Sequence, residues 1–222
     1  MRDADCGRAP DRGATRPYTP IIAFYERCLT QFGDTYRGVG WTISQEATDR
    51  RHQVMLDMIE AGPGEPVSVL DFGCGASHFR EYIERRGLGD SIRYSGLDLS
   101  RRFLELSRRK FPMVDFYEVD LLEGRNGLPA FDYVVMNGVF TYKGDVPYPA
   151  MLDYFQTLVE RVFHLTRRGL AFNLQSPNVE HRDYLFHVPF DDVTAFLVDR
   201  VSPRFRLRHD YGLYDYTVYV YR

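Results

Sequence analysis

A glycine-rich turn and an acidic residue further along the chain are the residues whose types and spacing best predict chemistry. The run VLDFGCGASHF, residues 69–79, is typical of a buried strand that breaks into a turn and opens a helix. The run YSGLDLS, which ends at Ser100, is typical of a second strand that finishes at an acid, Asp98. Together they predict a nucleotide-type pocket at the carboxyl edge of a parallel sheet.

The spacing of the glycines indicates which nucleotide the pocket holds. A dinucleotide loop has the pattern G-x-G-x-x-G, whose third glycine lets strand and helix pack closely below a pyrophosphate. Here Gly73 and Gly75 fill the first two positions, but His78 fills the third. A nicotinamide or flavin dinucleotide therefore fits poorly. S-adenosylmethionine (SAM) has adenosine and no phosphate, so it needs only the tight turn. We expect Asp98 to accept hydrogen bonds from both ribose hydroxyls.

Composition and charge limit the classes of partner and the cellular compartment that we expect for this protein. The chain has 222 residues and a formal net charge of −3, without a basic stripe, which argues against a nucleic-acid partner. Its three cysteines, Cys6, Cys28 and Cys74, have no paired spacing, which favours a reducing compartment. There is no apolar run of about 20 residues and no apolar signal-peptide core near the N-terminus. We therefore expect a cytoplasmic protein that does not bind a membrane.

The order of the apolar patterns predicts one α/β domain, residues 21–222, after a flexible N-terminal arm, residues 1–20. Residues 21–65 form a helical segment that covers the mouth of the pocket, with a glycine-rich loop, residues 33–41, that carries Trp41. Strands and helices then alternate, and two runs with alternating aromatics, 205–208 and 214–221, predict an antiparallel hairpin. The fold expected is a three-layer, doubly wound, mostly parallel sheet.

Four motifs, at the ends of consecutive predicted strands, resemble those of class I SAM-dependent methyltransferases. In VLDFGCGAS, Asp71 stands at the family's acidic position, while Ser77 replaces the third glycine. YSGLDLS places Asp98 as the ribose acid, FYEVDLLE places Asp120 beside the adenine, and FDYVVMNGVF places Asn137 below the methionine part. The resemblance runs from residue 21 to the end, and it implies the Rossmann-like methyltransferase fold with SAM as cofactor.

The expected cofactor contacts come from these motifs and from the loop before the sheet. In that loop, Trp41 and Tyr36 suit a lid that excludes water from the sulfonium of SAM; alternatively, Trp41 holds the loop on the core. His78 is expected to shape the methionine end of the site. The full set is Tyr36, Trp41, Asp71, Gly73, Cys74, Gly75, His78, Asp98, Leu99, Asp120, Leu121 and Asn137.

The sequence has fewer specific motifs for the methyl acceptor than for the cofactor. Segments near both ends resemble small bacterial methyltransferases of polysaccharide and antibiotic gene clusters, which implies a sugar or another small molecule as acceptor. A hydroxyl acceptor needs a base, and His181 and His187, after the fifth parallel strand, are the leading candidates. Tyr142 could hydrogen-bond the acceptor, and no spacing requires a metal. The alternatives are N-methylation of an amine, a non-catalytic SAM-fold partner protein, and a nicotinamide-dependent reductase.

Overall fold

Seven strands form one sheet in the computed structural model, which describes residues 16–62, 64–124 and 127–222. The strands are β1 (Val67–Phe72), β2 (Ile92–Leu97), β3 (Asp115–Tyr117), β4 (Phe131–Met136), β5 (Thr166–Gln175), β6 (Phe205–Arg208) and β7 (Asp215–Tyr221). Their order across the sheet is β3-β2-β1-β4-β5-β7-β6. The first five run parallel, and β7 lies antiparallel between β5 and β6.

The helices of the described residues precede or connect these strands. They are α1 (Tyr18–Phe32), α2 (Gln45–Leu56), α3 (His78–Arg85), α4 (Arg101–Lys110), α5 (Tyr148–Phe163) and α6 (Phe190–Phe196). A 3-10 turn spans Leu121–Glu123, and α6 continues as a π-helix over Leu197–Val201. None of the helices in the described ranges is long and apolar enough to cross a membrane.

Two buried clusters lie on opposite faces of the sheet, because successive side chains of a strand point to opposite sides. On β1, Leu70 belongs to a cluster with residues of α5 and α6, whereas Val69 packs with residues of α2 and α3. On β4, Val134 and Val135 divide in the same way. The expected three-layer sheet with its C-terminal hairpin is therefore confirmed.

Local differences from the sequence expectations have simple causes. Strand β5 begins at Thr166, earlier than the apolar run suggests, because Thr166 already pairs with Phe131 of β4, while the exposed Arg167 and Arg168 lie at an irregularity in the register before Gly169 pairs with Tyr133. A serine immediately before a helix is typically an N-cap, but Ser77, which precedes α3, has a left-handed backbone and its hydroxyl donates to Ser107 instead. Of the expected N-terminal arm, residues 1–15 lie outside the described residues, and residues 18–20 form the first turn of α1.

Candidate functional site

The glycine turn after β1 lies at the carboxyl edge of the sheet. The backbone amides of Gly73 and Cys74 both donate to the carbonyl of Leu97 at the end of β2, at 2.7 and 2.9 Å. Gly73 has a φ of +74°, and a Cβ there would lie 2.8 Å from the side chain of Val139. A side chain at Gly73 would therefore be both strained and in collision. Gly73, Cys74 and Gly75 of this turn line the pocket.

Asp98 fixes the shape of this turn. Its Oδ2 accepts from the amide of Gly75 at 2.9 Å, and its Oδ1 accepts from the amide of Ser100 at 2.8 Å. Burial raises the pKa of this carboxyl, while the amide hydrogen bonds lower it. A carboxylate has about four lone-pair positions, so both oxygens can still accept from a ligand. This is the arrangement expected of an acid that binds two neighbouring hydroxyls.

The end of β4 forms the next side of the pocket. The Oδ1 atom of Asn137 is buried and has no hydrogen-bond partner among the described residues. The amide of Gly138 donates to Oδ1 of Asn173 at 2.7 Å, which fixes the turn that follows β4. Buried polar atoms nearly always have a partner, so the orphaned oxygen of Asn137 indicates that a ligand donates to it.

Helix α1 and the loop before α2 cover the pocket. A Cβ on Gly138, whose φ is +84°, would lie 2.9 Å from the ring of Trp41. In the same way, the ring of Tyr25 lies where a Cβ on Gly40 would be, at 2.5 Å. From α1, Tyr18, Ile21 and Ile22 also line the pocket, and the last two belong to the segment 21–65 that was expected to cover its mouth. The cover therefore lies over part of the pocket at the carboxyl edge of the sheet.

Several ionisable groups in the pocket have strongly shifted pKa values, among them Asp71 and His52. Burial and the nearby charge of Asp98 raise the pKa of Asp71 to about 7, although the hydroxyl of Tyr94 donates to it at 2.7 Å. Burial lowers the pKa of His52 to about 3, and the positive charges of His78, Arg85 and Arg51 lower it further. Perturbed ionisable groups in a cleft are typical of functional sites.

The structure brings most of the expected cofactor residues together around this pocket. Those that line it are Trp41, Asp71, Gly73, Cys74, Gly75, His78, Asp98, Leu99 and Asn137. Three others do not line it. Tyr36 contributes a carbonyl that accepts from the amide of Trp41 at 2.9 Å, and Leu121 is buried in the core. The role of Tyr36 within the loop is therefore to hold Trp41.

Asp120, the third residue outside the lining, is already bonded. Its carboxylate accepts from the amide of Leu122 at 2.8 Å and binds the guanidinium of Arg16 at 2.5 Å. It also accepts from the hydroxyl of Tyr18, which itself lines the pocket. A ligand that reached Asp120 would therefore share the carboxylate with Tyr18.

The three expected catalytic residues lie outside the pocket lining. His187 is buried and both its ring nitrogens are bonded: Nδ1 donates to the carbonyl of Ser176 at 2.9 Å, and Nε2 accepts from the amide of Arg182. This geometry argues against His187 as a base, since its acceptor nitrogen is engaged. His181 is exposed, with Nε2 3.5 Å from Asp183.

Tyr142 belongs to an aromatic cluster beside the cover. Its ring stacks on Phe24 of α1, with centroids 3.8 Å apart, and lies 6.3 Å from the rings of Tyr25 and Tyr184. The side chain therefore packs α1 against the segment that follows β4. Tyr25 connects this cluster with the pocket, because it lines the pocket itself.

Sequence reasoning missed the side chains with polar atoms that reach the pocket from the two N-terminal helices, Tyr18, Tyr25 and His52. A signal existed for His52. It lies one helical turn from Thr48 and from Met55, both buried, so it belongs to the apolar stripe of α2. A histidine on such a stripe is a polar group in the interior, so it needs a hydrogen-bond partner.

The central part of the chain matches a known protein family. A family model described as a methyltransferase domain matches residues 70–169, which include the glycine turn, Asp98 and Asn137. A Mycobacterium tuberculosis protein with a provisional methyltransferase name, Rv1506c, is 26% identical over 162 residues, which are 70% of this chain and 93% of that protein.

Solved structures of similar fold come from several bacteria. Magnesium protoporphyrin IX methyltransferase from Synechocystis, solved with bound SAM, has a TM-score of 0.64 at 14% identity, over 96% of this chain and 100% of its own. The 1,6-didemethyltoxoflavin-N1-methyltransferase of Burkholderia thailandensis has a TM-score of 0.58 at 16% identity, over 96% and 92%. At these identities the likeness shows the fold.

Proposed function

We propose that this chain, a class I SAM-dependent methyltransferase, transfers the methyl group of SAM to a hydroxyl of a small molecule, such as a sugar or a secondary metabolite. The observation that carries the proposal is the enclosure of the pocket by α1 and by Trp41. An enclosed site suits a small acceptor better than a polymer. The solved structures of similar fold also include enzymes named for a porphyrin and for didemethyltoxoflavin.

The residues of the pocket fit SAM. We assign the ribose hydroxyls to Asp98, whose two oxygens each have a lone pair left after their amide contacts. The bare backbone at Gly73 and Gly75 suits a ligand that lies close to the turn. The buried Oδ1 of Asn137 suits a donor group of the amino-acid tail. Asp120 remains our proposed neighbour of the adenine amine, shared with Tyr18.

The protein's part in the transfer is to hold the acceptor in line and to take its proton. SAM supplies a methyl group that is already activated by the sulfonium. The cover excludes water through Trp41 and Tyr25, so the acceptor does not compete with solvent. We propose His181 as the base, since its ring is exposed on the segment after β5, with Nε2 3.5 Å from Asp183. Tyr142 is proposed to contact the acceptor from the aromatic cluster.

A second candidate is N-methylation of an amine. One observation favours it: His187 is fully bonded and His181 lies outside the pocket lining. An amine needs no base if it arrives neutral, because its lone pair attacks directly.

The experiment that tests the cofactor is isothermal titration with S-adenosylhomocysteine (SAH). We expect micromolar binding by the parent, and a loss of about a hundredfold in Asp98→Asn because the ribose hydroxyls lose an anionic acceptor. Asp90→Asn, an exchange in the turn before β2, is the matched control and should bind like the parent. No binding by the parent, or full affinity in Asp98→Asn, would overturn the assignment of this pocket.

The acceptor is then tested by the release of SAH from SAM with a panel of hydroxyl and amine compounds. O-methylation predicts turnover on hydroxyl acceptors that falls strongly in His181→Ala and retains its value in His164→Ala, a histidine at the end of α5. Turnover on amines alone, with no effect of His181→Ala, would favour the second candidate. Binding of SAH without turnover of any acceptor would support the alternative of a non-catalytic SAM-fold partner protein.

A further inference from the structure

His52 is a buried polar residue of the pocket that the proposed function does not yet use. It lies on α2 and is 4% exposed, and its ring packs 5.6 Å from the rings of Phe79 and Tyr82 on α3. It lines the pocket, yet its Nδ1 has no hydrogen-bond partner within residues 16–62, 64–124 and 127–222. Leaving a buried polar group unpaired is costly, so the position points to a partner supplied by a ligand.

The surroundings of His52 select an anionic partner. Burial lowers its pKa to about 3, with further contributions from the positive charges of His78 and Arg85 on α3 and of Arg51 on α2. The imidazole is therefore neutral near pH 7, and it is too weak a base to take a proton from a hydroxyl. A neutral imidazole still has one N–H to donate. Such an N–H makes its strongest hydrogen bond to an ionised acceptor, so a carboxylate is the favoured partner.

The rest of the pocket repels such a group. The carboxylate of Asp98 lines the region at the end of β2, where the ribose hydroxyls are assigned, and Asp71, whose pKa is raised to about 7, lines the pocket from β1. An anion would avoid Asp98 and would be favoured on the α3 side of the pocket, where His52 has an unpartnered nitrogen, since His78 and Arg85 are already bound by Asp34 and Asp49. SAM has one anionic group, the α-carboxylate of its methionine part.

We infer that His52 donates a hydrogen bond to the α-carboxylate of the cofactor and so recognises its amino-acid tail. The inference rests on the proposed function, since it requires SAM in this pocket. It divides the tail between two elements: Asn137 at the end of β4 offers an acceptor to the ammonium, and His52 on α2 offers a donor to the carboxylate. The helix before the sheet is thereby part of the cofactor site as well as its cover.

The test compares two ligands on two proteins by isothermal titration. One ligand is SAH, and the other is decarboxylated SAH, which lacks only the carboxylate. The variant His52→Phe keeps a ring against Phe79 and Tyr82 and removes the donor. The parent should bind SAH on the order of tenfold to a hundredfold more tightly than the decarboxylated ligand, and His52→Phe should bind the two with nearly equal affinity.

Two further variants keep the result interpretable. His52→Gln retains an N–H donor and should recover part of the preference for SAH. His209→Phe removes an exposed histidine outside the pocket and should behave as the parent does. A cooperative thermal unfolding transition shows whether His52→Phe folds. If this variant does not fold, the inference is tested by the affinities of the parent and of His52→Gln for the two ligands.

Each outcome separates the inference from the function on which it rests. Failure of the parent to bind SAH overturns the cofactor assignment. A parent that binds SAH but does not prefer it over the decarboxylated ligand overturns only the inference. An equal loss of both ligands in His52→Phe also overturns it, because the ring would then act on the shape of the pocket.

Discussion

The carboxylate of Asp215 binds the guanidinium of Arg51 in the interior, with Oδ1 and Nη2 2.8 Å apart and side-chain exposures of 0% and 4%. The same carboxylate accepts from Nδ2 of Asn173 at 2.8 Å, and Asn173 in turn accepts from the amide of Gly138. The guanidinium also lies over the ring of Trp41, 4.2 Å from its centroid. The pair therefore connects β7 with both the cover and the turn after β4.

Replacement of Asp215 by alanine should destabilise the protein strongly. The change leaves the guanidinium of Arg51 buried without its counter-charge, and it removes the acceptor that orients the amide of Asn173. Breaking a buried pair in this way costs about 3–5 kcal/mol. The measurement is urea unfolding followed by circular dichroism, with the free energy extrapolated to water.

An exposed ion pair provides the control for Asp215. Glu118 binds Arg101 at 2.7 Å, with side-chain exposures of 35% and 80%. Glu118→Ala should cost less than about 1 kcal/mol because solvent screens such a pair. Equal losses in the two variants would mean that the buried pair does not stabilise the fold in the way described.

Gly138→Ala should displace Trp41 from the pocket. The new Cβ would lie 2.9 Å from the indole, at a φ of +84°. Trp41 is the chain's single tryptophan, so its emission should shift to the red as the ring gains solvent, and the affinity for SAH should fall by roughly tenfold or more. Gly212→Ala is the matched control, since Gly212 has a φ of +66° but is exposed, and a Cβ there would meet Nη1 of Arg50 at 3.4 Å rather than the indole. It should lose some stability and keep both the emission and the affinity; the same losses in both variants would trace the effect to backbone strain.

The raised pKa of Asp71 predicts that the free energy of unfolding depends on pH. Its pKa is raised from 3.8 to about 7 in the folded protein, so the folded state holds the proton more tightly than the unfolded chain. The resulting stabilisation is fully present below pH 3.8 and is lost as the pH rises through about 7. The free energy of unfolding of the parent, minus that of Asp71→Asn, should therefore fall between these values and level off above them. A difference that does not change with pH would contradict the raised pKa.

The ends of the parallel strands could be predicted from the sequence because local patterns determine them. Gly73 and Asp98 each follow an apolar run, and parallel strands place their carboxyl ends at one edge. Register pairs Phe72 with Leu97, which brings the turn and the acid together. The position of a residue at a strand end therefore follows from the parallel topology of the sheet and can be predicted without knowledge of its side-chain contacts.

Side chains held by distant partners could not be placed in this way. Asp120 is bound by Arg16 and Tyr18, more than 100 positions away in the sequence, and no local pattern reports those contacts. His187 resembles a free loop histidine in the sequence, yet the carbonyl of Ser176 and the amide of Arg182 engage its two nitrogens. Hydrogen-bond geometry, rather than residue type, decides which histidine is available.

The lowered pKa of His52 predicts a pH dependence of the free energy of unfolding opposite to that from Asp71. Its pKa is lowered from 6.5 to about 3 on folding, so the unfolded chain binds the proton more tightly. The stability that depends on neutral His52 is present above pH 6.5 and is lost as the pH falls towards 3. The free energy of unfolding of the parent, minus that of His52→Phe, should therefore decrease as the pH falls through this range, because the variant has no imidazole to charge. Urea unfolding at several pH values measures this, and Asp71→Asn in the same series should give a difference of opposite slope. Parallel slopes for the two variants would contradict the assignment of a buried neutral histidine at this position.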